Sequence, residues 1–158
     1  MKHLIDIVCF EDKYLPTYAN DTDFCMDVKV RCGQGGYVLT PGSTHVFGTG
    51  IKIKVPEGWG IKIKPRSSTG IKMRCRLANS EAVIDAGYRD EIMLAINNFG
   101  NQTQIIEDGQ RVAQLELVKK EEIEWNIVPD DENFKKGDRG GGIGSTGFGS
   151  GITFNKVM

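Results

Sequence analysis

An apolar–polar alternation with a period of two recurs along this chain and restricts its fold more than any other feature. Ile51-Lys52-Ile53-Lys54-Val55 alternates apolar with basic residues. Ile61-Lys62-Ile63-Lys64 repeats the pattern after a turn at Pro56-Glu57-Gly58. Ile92, Leu94 and Ile96 alternate again, as do Ala113, Leu115 and Leu117. Successive side chains of a strand point to opposite faces, so this period marks strands with one face buried and one face in water. Turn residues separate the runs at Gly35-Gly36, Pro41-Gly42, Asp85-Ala86-Gly87 and Asp108-Gly109. No amphipathic helix of ten or more residues and no internal repeat interrupts them. The expected class is all-β: a sandwich, jelly roll or barrel.

At 158 residues the chain fits one domain, or one domain with a tail. Its 20 Lys and Arg balance 21 Asp and Glu, which argues against a duplex-DNA binder with its usual basic excess. No apolar run approaches the roughly 18 residues of a membrane span. Acids break the apolar stretch of MKHLIDIVCFEDKY, so a signal peptide is not expected. The four cysteines, Cys9, Cys25, Cys32 and Cys75, form no C-x-x-C pair and read as reduced thiols of a cytoplasmic protein, host cytoplasm if the source is viral. His3 and His45 sit in no metal-ligand cluster. Composition shifts near residue 130. Pro129 to Lys136 is polar and charged, and eight of the fifteen residues from Gly137 to Gly151 are glycine. A body over residues 1–136 and an arm over 137–158 are the expected parts. The arm reads either as a disordered tail or as a flap that orders over an anionic ligand, with Arg139, Ser145 and Thr146 as donors.

Several segments carry chemistry. Gly142-Ile143-Gly144-Ser145-Thr146-Gly147 matches G-x-G-x-x-G, but it lacks the strand before and the helix after that a dinucleotide site needs. Pro65-Arg66-Ser67-Ser68-Thr69-Gly70 follows a strand and sets a guanidinium beside hydroxyls and turn amides. That suits phosphate oxygens, and an ordinary polar turn stays equally open. Ala82-Val83-Ile84-Asp85-Ala86-Gly87-Tyr88-Arg89 ends an apolar run on Asp85, at the tip of an expected hairpin. A carboxylate held there can serve as a general base, or merely start an Asx turn. Tyr88 can offer its ring to a sugar or a flat ligand. Gln114 is polar within an alternating run and either bonds a ligand or faces solvent. Asp27, flanked by apolar residues, either holds a hydrated Mg²⁺ or is a surface acid.

In order and spacing, these segments resemble the five motifs of the trimeric dUTPase (dUTP diphosphatase) family. Asp23 to Val28 is similar to motif one, Pro65 to Gly70 to motif two, and Asn79 through Glu91 to motif three. Gly109 to Gln114 is similar to motif four and Arg139 to Gly147 to motif five. The resemblance implies a jelly-roll subunit and a homotrimer. It implies three sites, each built from motifs one, two and four of one chain, motif three of a second and the arm of a third. It implies Mg²⁺-assisted hydrolysis of dUTP to dUMP and pyrophosphate, with neither nucleic acid nor membrane as a direct partner. By that resemblance Asp85 deprotonates the attacking water, Gln114 contacts that water and the α-phosphate, and Asp27 binds waters of the Mg²⁺ shell. Arg66, Ser67 and the Ser68 amide hold phosphates. Asn79 and the main chain around Ile84 read uracil, and Tyr88 packs on the deoxyribose. Arg139, Ser145 and Thr146 close on the β- and γ-phosphates.

The chain departs from the family pattern in four places. Phe24-Cys25 replaces a small pair, and Met26 replaces the motif-one tyrosine. Asp90 stands where glycine is usual, which predicts either an altered loop φ or a strained aspartate. Ile143 replaces the aromatic expected over uracil, and the spacing from Arg139 is one residue short, so Phe148 in a shifted register is the other candidate. Two alternatives belong to other classes: a dCTP deaminase of the same fold, or a nucleotide-binding regulatory module with reduced catalysis. The deaminase would want a glutamate in the strand that here reads Ile92-Met93-Leu94-Ala95-Ile96-Asn97.

Overall fold

Alternating runs become short antiparallel strands, and the longest of them carry the candidate site. The computed structural model describes residues 2–138. Two units divide the chain, Met1–Glu121 and Glu122–Met158. The first holds β1 (Ile7–Cys9), β2 (Met26–Lys29), β3 (Tyr37–Leu39), β4 (Thr44–Gly48), β5 (Ile51–Ile53) and β6 (Trp59–Pro65). It continues with β7 (Cys75–Leu77), β8 (Ala82–Asp85), β9 (Met93–Asn98), β10 (Gln104–Ile106) and β11 (Arg111–Lys119). One helical turn, α1 (Ser67–Ile71), follows β6. In the second unit the described part carries α2 (Glu132–Lys135), capped by the Asp131 carboxylate, which accepts from the Asn133 and Phe134 amides.

Four strands form one sheet in the order β2-β11-β6-β8, and three form another in the order β4-β9-β7. Two-stranded ribbons, β1-β5 and β3-β10, complete the unit. The inward faces close over one core. Ile61, Ile63 and Leu115 come from the first sheet, and Phe47, Leu94 and Ile96 from the second. Tyr14 is buried too, with its hydroxyl donating to Asp108. Asn98 is fully buried, and its amide donates to the Leu39 and Gln102 carbonyls, so the polar group is bonded where it lies. This is the jelly-roll arrangement the alternation predicts.

Three expectations meet the coordinates directly. All four cysteines are free thiols. The turn at Pro56-Glu57-Gly58 exists, with the Trp59 amide donating to the Pro56 carbonyl and Gly58 at φ +76°, a conformation that favours glycine at this turn position. The hairpin expected around Asp85 is instead a crossover. β8 pairs with β6 and β9 with β4 and β7, so residues 86–92 pass from one sheet to the other. Each strand finds its ladder elsewhere, and alternation alone does not name a partner. No helix among the described residues is long and apolar enough to cross a membrane.

Candidate active site

Strand register sets the first group of side chains. Gln114 on β11 lies opposite Asp27 on β2 and Lys64 on β6. Because Val28, Leu115 and Ile63 point inward, these three lie in one row on the outer face. Asp27 is only 7% exposed, and both its oxygens are engaged. Arg66 Nε sits 2.7 Å from Oδ1, and Arg111 Nη1 donates to Oδ2 at 3.1 Å. Two guanidiniums thus share one carboxylate, leaving a surplus cation facing outward, as a polyphosphate site requires. Lys64 is already bonded to Glu116, which raises its ammonium above the usual range.

A bulge makes this arrangement. The β11 register shifts between Arg111 and Ala113 against β2. Val112 and Ala113 are consecutive and both buried, which strict alternation does not allow. The freed Val112 carbonyl accepts from the Arg66 amide at 3.3 Å and from the buried Thr69 hydroxyl at 2.8 Å. These bonds fix the start of α1. Ser67 is exposed and Ser68 half-buried at its first turn, where amides have no intrahelical acceptor. Gln114 Nε2 donates to the Pro65 carbonyl at 3.4 Å.

The second group lies on β8 and the loop after it. Asp85 ends β8, exposed, opposite Gly60 of β6. Ile84, paired with Ile61, turns its side chain into the core, so only its main chain is available to a ligand. β8 is the edge of its sheet, and its outward main-chain groups are free to pair with a base edge. Asn79 is exposed in the turn before β8, where Ser80 adopts φ +63°. The Tyr88 amide donates to the Asp85 carbonyl, and the Tyr88 hydroxyl to the Glu91 carbonyl at 2.8 Å. Left-handed non-glycine residues among those described are Arg74 and Ser80, so Asp90 takes glycine's place without strain.

These two groups do not meet within one chain. Arg66 follows the last residue of β6, while Asp85 pairs with Gly60 near its start. At about 3.3 Å per residue Gly60 and Pro65 are roughly 17 Å apart along β6. The structure therefore separates Asp27, Arg66, Ser67, Ser68 and Gln114 from Asp85 and Tyr88, with Ile84 beside Asp85 on β8; Asn79 precedes β8, whose Ala82 lies opposite Ile63, and so sits toward the β6 end that Arg66 follows. Arg139, Ile143, Ser145, Thr146 and Phe148 lie outside the described residues. Sequence reasoning passed over Arg111, Thr69 and the Arg31–Glu91 pair as working partners. Arg111 stands inside the Gly109–Gln114 segment and was within reach, whereas the others carry no local signal.

The motif-one departures have plain surroundings. Met26 packs against the core, Phe24 is exposed, and Cys25 sits beside Glu116. Burial, reinforced by that carboxylate, pushes the Cys25 thiol up. As for metal, no group of three His, Cys, Asp or Glu side chains converges among the described residues. One carboxylate held by two guanidiniums does not make an all-protein cage.

Comparison with known proteins follows the same segments. The dUTPase family profile matches residues 12–147. The chain is 36% identical over 135 residues to the deoxyuridine 5′-triphosphate nucleotidohydrolase of Ehrlichia canis, covering 84% of this chain and 86% of that protein. It is 38% identical over 133 residues to the enzyme of the same name from Rickettsia prowazekii, covering 84% and 88%. A Staphylococcus bacteriophage 80alpha dUTPase variant solved with dUpNHpp superposes with a TM-score of 0.75 at 22% identity, covering 93% of this chain and 100% of that one. The Streptococcus mutans dUTPase gives 0.67 at 23% identity, covering 77% and 98%. The chain belongs to the dUTPase family.

Proposed function

We propose that this protein hydrolyses dUTP to dUMP and pyrophosphate, removing a uracil precursor from the DNA supply and yielding dUMP. The observation that carries this reading is the family match over residues 12–147, which spans all five segments in order. Asp85 takes a proton from water, and the resulting oxygen attacks the α-phosphorus. The bond from that phosphorus to the α–β bridging oxygen breaks, and pyrophosphate leaves. Gln114 orients the water and the α-phosphate. Arg66, Ser67 and the Ser68 amide bind the chain of phosphates, where such reactions depend chiefly on positioning and charge. Asn79 and the β8 edge at Ile84 read uracil, and Tyr88 packs on the deoxyribose. Asp27 would accept from waters of a Mg²⁺ bound to the triphosphate, and that ion would supply charge neutralisation on the phosphates.

We further propose a homotrimer with shared sites. Two observations support it. Asp85 and the Arg66 segment lie at opposite ends of β6, so one copy supplies the phosphate side and another the general base with Tyr88. Ile123, Trp125 and Ile127 alternate with polar residues along a segment without regular structure and are all exposed in the single chain, an apolar row suited to a neighbouring copy. Residues 137–158 form the arm in this reading. Its Arg139, Ser145 and Thr146 close on the β- and γ-phosphates, with Ile143 or Phe148 over the base. The free thiols fit a cytoplasmic protein.

The test is pyrophosphate release with Mg²⁺ from dUTP, dTTP, dCTP and UTP side by side. Release from dUTP alone is expected. Ammonia from dCTP would replace this reading with a deaminase, and tight dUTP binding without turnover with a regulatory module.

A further inference from the structure

We propose that the Arg31–Glu91 ion pair is a positioning device for Tyr88 and sets how sharply the site separates deoxyribose from ribose. The inference rests on the reading that Tyr88 packs on the sugar. Its starting point is the far end of that ring. The Tyr88 hydroxyl donates to the main-chain carbonyl of Glu91 at 2.8 Å, so the ring lies where Glu91 puts it. Ala86 packs against the core, but residues 87–90 of this loop are exposed.

Glu91, by contrast, is held from several sides. Arg31 Nε donates to its Oε1 at 3.1 Å and Arg31 Nη2 to its Oε2 at 2.8 Å, a two-pronged pair. The Gly50 amide adds a third bond to Oε1 at 2.8 Å. The Glu91 side chain is 17% exposed. Arg31 is itself fixed, its amide donating to the Gly48 carbonyl at 2.7 Å and its guanidinium lying 5.3 Å from the Phe10 ring centre. The pair lies close against β4, where a Cβ at Gly48 would collide with Glu91 Oε1. One residue further on, Ile92 is fully buried and bonded to Ile51 and Thr49. Glu91 is thus the last fixed point before the exposed loop, and the tyrosine hydroxyl ties the ring back to it. Strand pairing does not require this pair, since β9 begins only at Met93.

A ring tethered in advance loses less freedom when substrate arrives and yields less to an added hydroxyl. Cutting the tether should therefore weaken binding and selectivity while sparing the chemical step. The experiment uses the full-length enzyme, with assembly checked by sedimentation, and measures kcat and KM for dUTP and for UTP. Glu91→Gln and Arg31→Met are each expected to raise KM for dUTP and to lower the dUTP-over-UTP preference about tenfold, with kcat within about threefold of wild type. Tyr88→Phe cuts the same tether and should cost the same. Glu91→Gln combined with Tyr88→Phe should then be no worse than either alone. Arg31→Lys keeps the charge without the two-pronged geometry and gives a second reading of the ratio if Glu91→Gln fails to fold. Unchanged selectivity in the Arg31 and Glu91 variants, with Tyr88→Ala impaired, would overturn the proposal. Unchanged selectivity in Tyr88→Ala would instead remove the sugar-packing role on which it rests.

Discussion

Asp85 stands at the end of β8 with its carboxylate exposed and without a side-chain partner among the described residues. Its removal should therefore touch chemistry and leave architecture alone. Asp85→Asn is expected to lower kcat by at least ~10²–10⁴, the usual worth of a general base, with Tm unchanged; assay and melting curve on one preparation check it. Asp27 predicts the opposite pattern. Asp27→Asn leaves Arg66 and Arg111 sharing a neutral group, so both Tm and dUTP affinity should fall. The difference between these two residues explains what the sequence made legible. Asp85, Tyr88, Arg66 and Gln114 sit in short local segments whose residue types already suggest their chemistry. Arg111, one partner of Asp27, lies 84 residues away, and Arg31, the partner of Glu91, lies 60 away; no spacing announces that these residues meet.

At the scale of elements, alternation identified the inward faces of β5, β6, β9 and β11, because burial on one side leaves a period of two. It did not give the crossover after β8, since pairing depends on what the whole chain brings alongside. Nor did it give the β11 bulge, which breaks the period at Val112 and Ala113 and lets a carbonyl fix α1. Acid sensitivity also belongs here, because two carboxylates tie separate elements together. Burial alone would raise Asp108, but Lys13, the amides of Cys32 and Gly33 and the Tyr14 hydroxyl outweigh it and hold the group well below its usual range. The bonds from Arg31, assisted by the Gly50 amide, lower Glu91 despite its burial. Both are depressed on folding, so their stabilisation is fully present above the unfolded values near about 4 and is lost as pH falls through the folded values. Tm should therefore drop steeply below about pH 4, and Asp108→Asn, already less stable at neutral pH, should show a shallower acid slope in a pH series of melting curves.

For the whole molecule, the separation of the two part-sites makes a prediction about mixtures. In the proposed homotrimer, the Asp85→Asn and Arg66→Ala variants should each be nearly inactive. Unfolding and refolding them together lets an intact phosphate side meet an intact general base. For random assembly of equal amounts, about a quarter of sites should be restored, and turnover should rise to roughly that fraction of wild type. No gain on mixing, with mixed trimers present, would show that each chain completes its own site.

A part-site at each end of one strand also has a consequence for the cell that makes this protein. With the proposed shared sites, activity would depend on encounter between copies and would belong to the population of chains and not to any single molecule. Below the concentration at which copies associate, halving expression would more than halve turnover. A lesion at one end of β6 would then spoil one shared site per faulty chain, a site that an intact neighbour helps to build, so activity would fall in proportion to the faulty chains.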